Sequence, residues 1–262
     1  MTDTTYELPN ISVDVVPVIV NENTNQLEVI IGRRIFEPYL NEFALPGVLL
    51  TPHERLDEAA LRALEVKTGV DNQFVNGIYD LGTFDNPDRD PRGATVSIAK
   101  LVVVDSRFVP TSDNTIMVPL QDFINDEREL PFDHNTIIAA AAAMFAEKFL
   151  SSKAFTKVIL GSRFTTSVVR GLLTQMNTID SDHSYDLSNL TRQLKSTGWV
   201  DTADVPSNYA SPATAPNPQS KLNTVMATMG VDMSQDTMQW PVTTSSSTST
   251  SRGRPSRSWV WN

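Results

Sequence analysis

The spacing of apolar residues predicts a β-rich first half of the chain. Residues 11–20 form a β-branched run, which indicates a buried strand in which Pro17 marks a kink or an edge position. After the polar turn NENTNQ, residues 27–32 complete a hairpin. The segment 76–104 predicts two further strands, joined by a polar loop rich in Asp, Pro and Arg.

Helical spacing is the dominant pattern in the segments between and after these strands. Within residues 45–70, apolar residues recur on one helical face, and Gly69 follows the last turn as a helix-ending residue. A short helix is predicted at QDFINDE. A long alanine-rich helix is predicted over 131–154, with Asp133 as its N-cap.

Two helices joined by a polar turn are predicted after residue 162. Thr165 or Thr166 begins the first helix, and Gly198 ends the second. Such a pair is typical of a helix-turn-helix, whose second helix enters the DNA major groove. The polar residues that this second helix would present to DNA are Ser188, Asn189, Thr191, Arg192 and Lys195. A small helical domain without a DNA partner would give the same pattern.

The C-terminal segment combines low complexity with a basic strand. The tract TTSSSTSTS precedes SRGRPSRSWVWN, in which Arg252, Arg254 and Arg257 lead into alternating aromatic residues. One interpretation is a basic wing that contacts DNA phosphates. The alternative is a tail that folds back, with its two tryptophans covering an apolar patch.

Composition narrows the class of protein. The chain has 262 residues, 40% of them apolar and none of them Cys, so it has no disulfide framework and no thiolate metal site. No apolar run reaches about 18 residues, and the N-terminus lacks the features of a signal peptide. We therefore expect a soluble cytoplasmic protein with no membrane partner.

Charge is distributed unevenly along the chain. Residues 1–150 carry 11 basic and 24 acidic side chains, a net charge of −13, whereas residues 151–262 carry 10 and 7, a net charge of +3. Such asymmetry suggests that the second half meets a polyanion, although a value of +3 is small enough to arise by chance.

The stretch 45–70 resembles the Nudix box, a loop-helix-loop that holds a divalent metal against a diphosphate. The box register is kept by Glu54, Arg62, Leu64, Gly69 and Val70. The box glycine and three glutamates are replaced by Val48, Ala63, Val66 and Lys67. Magnesium needs oxygen ligands, and the charge of Lys67 would repel it. We therefore expect no catalytic residue, no metal site, no cofactor and no enzymatic activity.

A second resemblance is more specific. NPDRDPRGATVSIAKL is similar to a loop and strand of Nudix proteins that handle ADP-ribose, and of regulators built from them. A helix opening with F-D-H closes the Nudix-like domain of that family, which makes His134 a structural first-turn residue rather than a metal ligand. The terminal G-R-P strand is similar to the second wing strand of the same regulators.

Over nearly its whole length the chain resembles the NrtR-type transcriptional regulators of NAD metabolism. The resemblance implies an α/β (α+β) fold, with a Nudix-like αβα sandwich and mixed sheet over 1–150. It also implies a winged helix-turn-helix domain over 151–262, from which this chain departs by a long, flexible wing insertion at about 204–250. Family members bind double-stranded DNA as homodimers and respond to ADP-ribose or a related NAD metabolite. The residues expected to bind this effector are Arg34, Glu54, Arg89 and Arg92. The alternative for Glu54 is a purely structural role.

Three functions are compatible with these patterns. The first is a DNA-binding regulator, expected to be a repressor, with a non-hydrolytic nucleotide sensor. The second is an active Nudix hydrolase of ADP-ribose-type nucleoside diphosphates, which Ala63, Val66 and Lys67 argue against. The third is a structural protein that retains both folds and neither ligand.

Overall fold

A computed structural model describes residues 8–176, 187–202 and 257–261. The strands in these ranges are β1 (Asn10–Asn21), β2 (Gln26–Arg33), β3 (Phe43–Ala44), β4 (Gly47–Leu49), β5 (Val75–Phe84), β6 (Thr95–Val104), β7 (Thr115–Pro119), β8 (Arg163–Thr165), β9 (Val200–Thr202) and β10 (Ser258–Trp261). The helices are α1 (Leu56–Thr68), α2 (Leu120–Ile124), α3 (His134–Lys148), α4 (Lys153–Leu160), α5 (Thr166–Met176) and α6 (Leu187–Ser196). Among the helices so described, none is long and apolar enough to cross a membrane.

The first seven strands form one mixed sheet. Its main order is β3-β2-β1-β6-β5, with β4 also paired to β1 and β7 to β2. β1 and β6 run parallel, whereas the other pairs are antiparallel. The mixed sheet expected from the sequence is confirmed.

Pro17 does not lie at an edge of this sheet, because β1 is a central strand. On one side β1 pairs with β6 along most of its length. On the other side it pairs with β4 at residues 12–14 and with β2 from Val18 onward. Pro17 falls between these two partners and is paired with Val102 of β6 on the other side.

Two helical layers cover the sheet. Val13 and Val15 of β1 belong to the apolar cluster that contains the buried face of α1. Val16 and Val18 belong to the cluster that contains the buried residues of α3. Because successive side chains of a strand point to opposite faces, one sequence run supplies both cores. The predicted αβα sandwich is therefore confirmed.

The single long helix predicted over 131–154 is wrong. Leu150 adopts a positive φ of 63°, and the chain breaks there into α3 and α4. Ser152 is the N-cap of α4, and its hydroxyl accepts a hydrogen bond from the Phe155 N–H. Alanine propensity favours a continuous helix, but the N-cap and the burial of Phe155 favour a second, separate helix.

The C-terminal strand predicted at SWVW is confirmed as β10. It is the central strand of a three-stranded antiparallel sheet, β8-β10-β9. Trp259 is fully buried and donates a hydrogen bond to Thr166 Oγ1 at 2.9 Å. Trp261 donates to the Gly161 carbonyl at 2.7 Å. The tail is thus a strand whose tryptophans also cover apolar surface.

The predicted domain boundary at residue 150 falls in the loop between α3 and α4, and the apolar core continues across it. The Gln175 amide of α5 accepts from the Leu27 N–H at 2.7 Å and donates to the Leu27 carbonyl at 2.9 Å. A Cβ on Gly171 would lie 2.1 Å from the Asn25 carbonyl oxygen, so α5 touches the β1–β2 turn directly. Within the described residues, α5 is therefore packed against β2 and the β1–β2 turn.

Candidate functional site

A cleft of about 650 Å³ opens where the ends of β1 and β2 meet the last turns of α1. The loop before β6, the loop before β7 and the start of α3 complete its walls. Its volume is typical of a small-molecule site. Three of the four predicted effector residues, Arg34, Arg89 and Arg92, line this cleft.

Arg89 forms the floor of the cleft as part of a buried charge network with Asp14 and Asp133. Its guanidinium lies 3.0 Å from Asp14 Oδ2 and 2.7 Å from Asp133 Oδ1. Asp14 also accepts hydrogen bonds from Ser97 Oγ at 2.6 Å and Ser12 Oγ at 3.3 Å. Because the Arg89 donors are bound to the carboxylates of Asp14 and Asp133, Arg89 is suited to fixing the loop before β6.

The buried charge network explains the glycine at position 47 and the missing side-chain cap at Asp133. A Cβ on Gly47 would lie 2.0 Å from Asp14 Oδ1, so this position excludes side chains. The neighbouring Val48, at the place of the box glycine, pairs with Val13 and lines the cleft. Asp133 precedes α3 at the expected N-cap position but makes no side-chain cap, since Arg89 engages its carboxylate.

His134 is the first residue of α3, as predicted, and is buried beside this network. Its Nδ1 accepts a hydrogen bond from the Leu45 N–H at 3.1 Å. Burial lowers the pKa of His134 from 6.5 to about 4, so the imidazole is neutral near pH 7. Because the ring is neutral, its Nδ1 can accept this hydrogen bond and hold the loop before β4.

The mouth of the cleft presents positive charge around one aromatic ring. The guanidinium carbons of Arg34 and Arg92 lie 4.8 and 5.8 Å from the Phe132 ring centroid. Arg92 pairs with Asp90 at 2.7 Å, but its side chain remains 53% exposed. Arg34 donates to the Pro38 carbonyl at 2.8 Å, and in the described ranges it has no carboxylate within ion-pair distance.

Glu54, the fourth predicted effector residue, is not among the residues that line the cleft. Its carboxylate receives two hydrogen bonds from Arg62, at 2.7 and 2.8 Å, and further ones from Thr51. The hydrogen bonds from Arg62 lower the pKa of Glu54 to about 2. Arg62 itself lines the cleft, so Glu54 contacts the site through Arg62.

Lys67 also faces the cleft from the last turn of α1. Burial lowers the pKa of Lys67, and the nearby guanidinium groups of Arg34, Arg62 and Arg92 lower it further. We name Arg34, Lys67 and Arg92 the cation cluster. Within the described residues, Lys67 has no carboxylate within ion-pair distance.

The side chains at the metal-binding box positions of α1 do not fit a divalent metal. Ala63 is fully buried in the core, Val66 is an exposed apolar side chain, and Lys67 is a cation. The Glu54 carboxylate is already occupied by Arg62. Among the described residues, no group of three His, Cys, Asp or Glu side chains could hold a metal ion.

The predicted DNA-contacting residues that the structure describes lie on α6 and before β10. Leu190 and Leu194 bury one face of α6. The exposed residues are Ser188, Asn189, Arg192, Lys195 and Arg257, and Thr191 is half-buried. Arg252, Arg254 and the predicted wing insertion lie outside the described residues.

Sequence reasoning missed Asp14 and Phe132 as parts of the cleft. A lone Asp inside an otherwise apolar strand is a signal that could have singled out Asp14. Phe132 carries no such signal, because its role depends on Arg34 and Arg92 arriving from distant segments.

Comparisons with known proteins agree with this architecture. The family model described as NUDIX domain matches residues 10–140. An ADP-ribose pyrophosphatase from Methanocaldococcus jannaschii is 32% identical over 111 residues, which is 42% of this chain. The aligned part spans 63% of the length of that relative.

Two solved structures superpose on most of the chain. A MutT/nudix family protein from Enterococcus faecalis has a TM-score of 0.58 and 26% identity, covering 77% of this chain and 86% of its own. Shewanella oneidensis NrtR in complex with a 27mer DNA has a TM-score of 0.58 and 21% identity, covering 77% and 90%. The second likeness is evidence of fold alone.

Proposed function

This chain belongs to the NUDIX domain family, and from that premise we propose that it is a DNA-binding transcriptional regulator with a non-hydrolytic nucleotide sensor. The effector is ADP-ribose or a related NAD metabolite, and the regulated genes are those of NAD metabolism. The observation that carries the proposal is a nucleotide-sized cleft with cations at its mouth and no carboxylates at the metal-binding positions of α1. We expect a homodimeric repressor.

The cleft has two surfaces that suit the two parts of a nucleotide. The cation cluster offers guanidinium and ammonium donors, which bind phosphate oxygens through charge-assisted hydrogen bonds. Ile35, Phe36 and Val66 form an exposed apolar rim on the same cleft, with 63%, 67% and 68% of their surface accessible. Exposed apolar residues beside a polar site are typical of ligand-binding grooves, and here they would cover a base or ribose.

The second half of the chain supports the DNA-binding part of the proposal. Its helices and three-stranded sheet follow the order expected of a winged helix, with α6 presenting exposed polar and basic side chains. The structurally similar Shewanella oneidensis NrtR was solved with DNA. Packing of α5 on β2 would let an effector bound in the cleft favour one arrangement of the helices over another.

The proposal is tested by fluorescence anisotropy of labelled promoter fragments from NAD-metabolism genes, with and without ADP-ribose. We expect salt-dependent binding that weakens when ADP-ribose is added. Binding that is absent at low salt, or unaffected by ADP-ribose and by other NAD metabolites, would contradict the proposal.

A second candidate function is hydrolysis of ADP-ribose, favoured by the 32% identical relative named as a pyrophosphatase. Chromatography of ADP-ribose incubated with the protein and Mg²⁺ separates the two candidates. Under our proposal the nucleotide stays intact. Turnover that stops when the metal is chelated would establish the hydrolase.

A further inference from the structure

Lys67 stands at a box position where the resemblance predicts a metal-binding glutamate. It is half-buried and lines the cleft, yet no carboxylate of the described residues neutralises it. A partly buried cation without an anion is costly unless a ligand supplies the negative charge. Lys67 is therefore suited to an anionic ligand.

The backbone around Lys67 is held in place. A Cβ on Gly32 would lie 2.4 Å from the Lys67 carbonyl oxygen, so the end of β2 presses against the last turn of α1. Thr115 Oγ1 donates to the next carbonyl, that of Thr68, at 3.1 Å. Arg34 follows directly after this end of β2. Two cations, neither of them ion-paired to a carboxylate in the part of the chain that the structure describes, thus lie on the same wall of the cleft.

We propose that Lys67, together with Arg34 and Arg92, binds the diphosphate of the nucleotide directly and takes the charge-neutralising role that a divalent metal has in a hydrolytic box. The inference rests on the proposed function, since it assigns the anion-binding part of the same cleft. The ammonium supplies positive charge and hydrogen-bond donors at the place of the ion. It offers no open coordination position at which a water could become a nucleophile, so binding is separated from hydrolysis.

If Lys67 takes the role of the metal, effector binding should not depend on a divalent metal. Isothermal titration calorimetry of the full chain with ADP-ribose, and separately with inorganic pyrophosphate, is carried out in EDTA and in Mg²⁺. The Kd of the wild-type protein for ADP-ribose should agree within about twofold between the two buffers, because no contact to a metal is gained or lost. A twofold change in Kd is well below the change expected from one charge-assisted contact.

Variants at Lys67 identify the residue responsible. Lys67→Gln should weaken ADP-ribose binding in EDTA on the order of tenfold, and Lys67→Arg, which keeps the charge, should restore most of it. Lys157→Gln is the matched control, since Lys157 is exposed on α4 and is not part of the cleft. Thermal unfolding without ligand should show that each variant is folded.

The outcomes separate this inference from the proposed function. ADP-ribose binding that requires Mg²⁺, or that Lys67→Gln leaves at the wild-type level, overturns the inference and leaves the sensor proposal standing. Binding of neither ADP-ribose nor pyrophosphate in either buffer overturns the inference, and the proposed function falls with it if the other NAD metabolites also fail to bind.

Discussion

Arg89 and Arg92 lie three residues apart in one loop, yet they have different environments. The Arg89 side chain is 3% exposed and contacts two carboxylates in the buried charge network. The Arg92 side chain is 53% exposed, shares the Phe132 ring with Arg34 and belongs to the cation cluster. A buried charge must be paired within the protein, whereas the Arg92 guanidinium, although it pairs with Asp90, remains accessible to a ligand. The floor of the cleft therefore determines structure, and we expect its mouth to determine binding.

The largest effect should come from removing the charge of the floor. Arg89→Met leaves Asp14 and Asp133 buried without their cation, which should lower the free energy of unfolding by about 3–5 kcal/mol. Arg107→Met is the control, because Arg107 pairs with Asp105 while 77% exposed and should cost less than about 1 kcal/mol. Urea unfolding measures both variants. Equal effects of the two substitutions would show that the buried charge network is not structural.

His134 should make the free energy of unfolding sensitive to acid. Its folded-state pKa of about 4 lies below the ordinary 6.5, so the unfolded chain binds the proton more tightly. The contribution of the neutral His134 to the free energy of unfolding is complete above pH 6.5. It is lost as the pH falls towards 4, by up to about 3 kcal/mol.

His134→Asn keeps a side-chain acceptor for the Leu45 N–H but cannot titrate. Its free energy of unfolding should therefore fall less steeply between pH 6.5 and 4 than that of the wild type. His53→Asn, at an exposed position, should follow the wild-type curve. The same slope in the wild type and in His134→Asn would contradict this explanation.

At the mouth, binding should change more than stability. Arg34→Gln removes a guanidinium that has no carboxylate partner among the residues with described positions, so ADP-ribose affinity should fall on the order of tenfold. The free energy of unfolding should fall by about 1 kcal/mol, for the lost hydrogen bond to Pro38. Calorimetry and urea unfolding of the same preparation check both values, with Arg107→Gln as the control. Unchanged affinity would exclude Arg34 from the site.

The smallest change is expected on α6. Arg192 is exposed and its guanidinium donates to the Asn189 side chain at 2.7 Å, so its loss should leave the fold intact. Arg192→Gln should weaken binding to promoter fragments and reduce the slope of log K against log salt by about 1. Anisotropy titrations over a range of salt concentrations measure that slope. A slope equal to that of the wild type would mean that Arg192 contacts no phosphate.

Local patterns predicted much of the fold from the sequence. The β-branched run of β1, the amphipathic face of α1 and Gly69, with φ of 71°, are each specified by neighbouring residues. The break between α3 and α4 was not predictable from alanine propensity. It depends on the tertiary burial of Phe155 and on the positive φ at Leu150.

The candidate site was only partly predictable, for a related physical reason. The loop motif assigned Arg89 and Arg92 the same role, because a motif records residue types and not partners. Asp14 and Asp133 reach Arg89 from distant segments, and that pairing gives Arg89 its different environment. The assignments of Arg252 and Arg254 to DNA contacts stay predictions, since both lie outside the described residues.

The central claim is that a nucleotide is sensed without being cleaved. Its most direct test titrates ADP-ribose, in the presence of Mg²⁺, into the full chain bound to a labelled promoter fragment, and then recovers the nucleotide for chromatography. We predict that the DNA is released as ADP-ribose is added and that the ADP-ribose is recovered intact. DNA that stays bound throughout, or ADP-ribose recovered as cleavage products, would contradict the account.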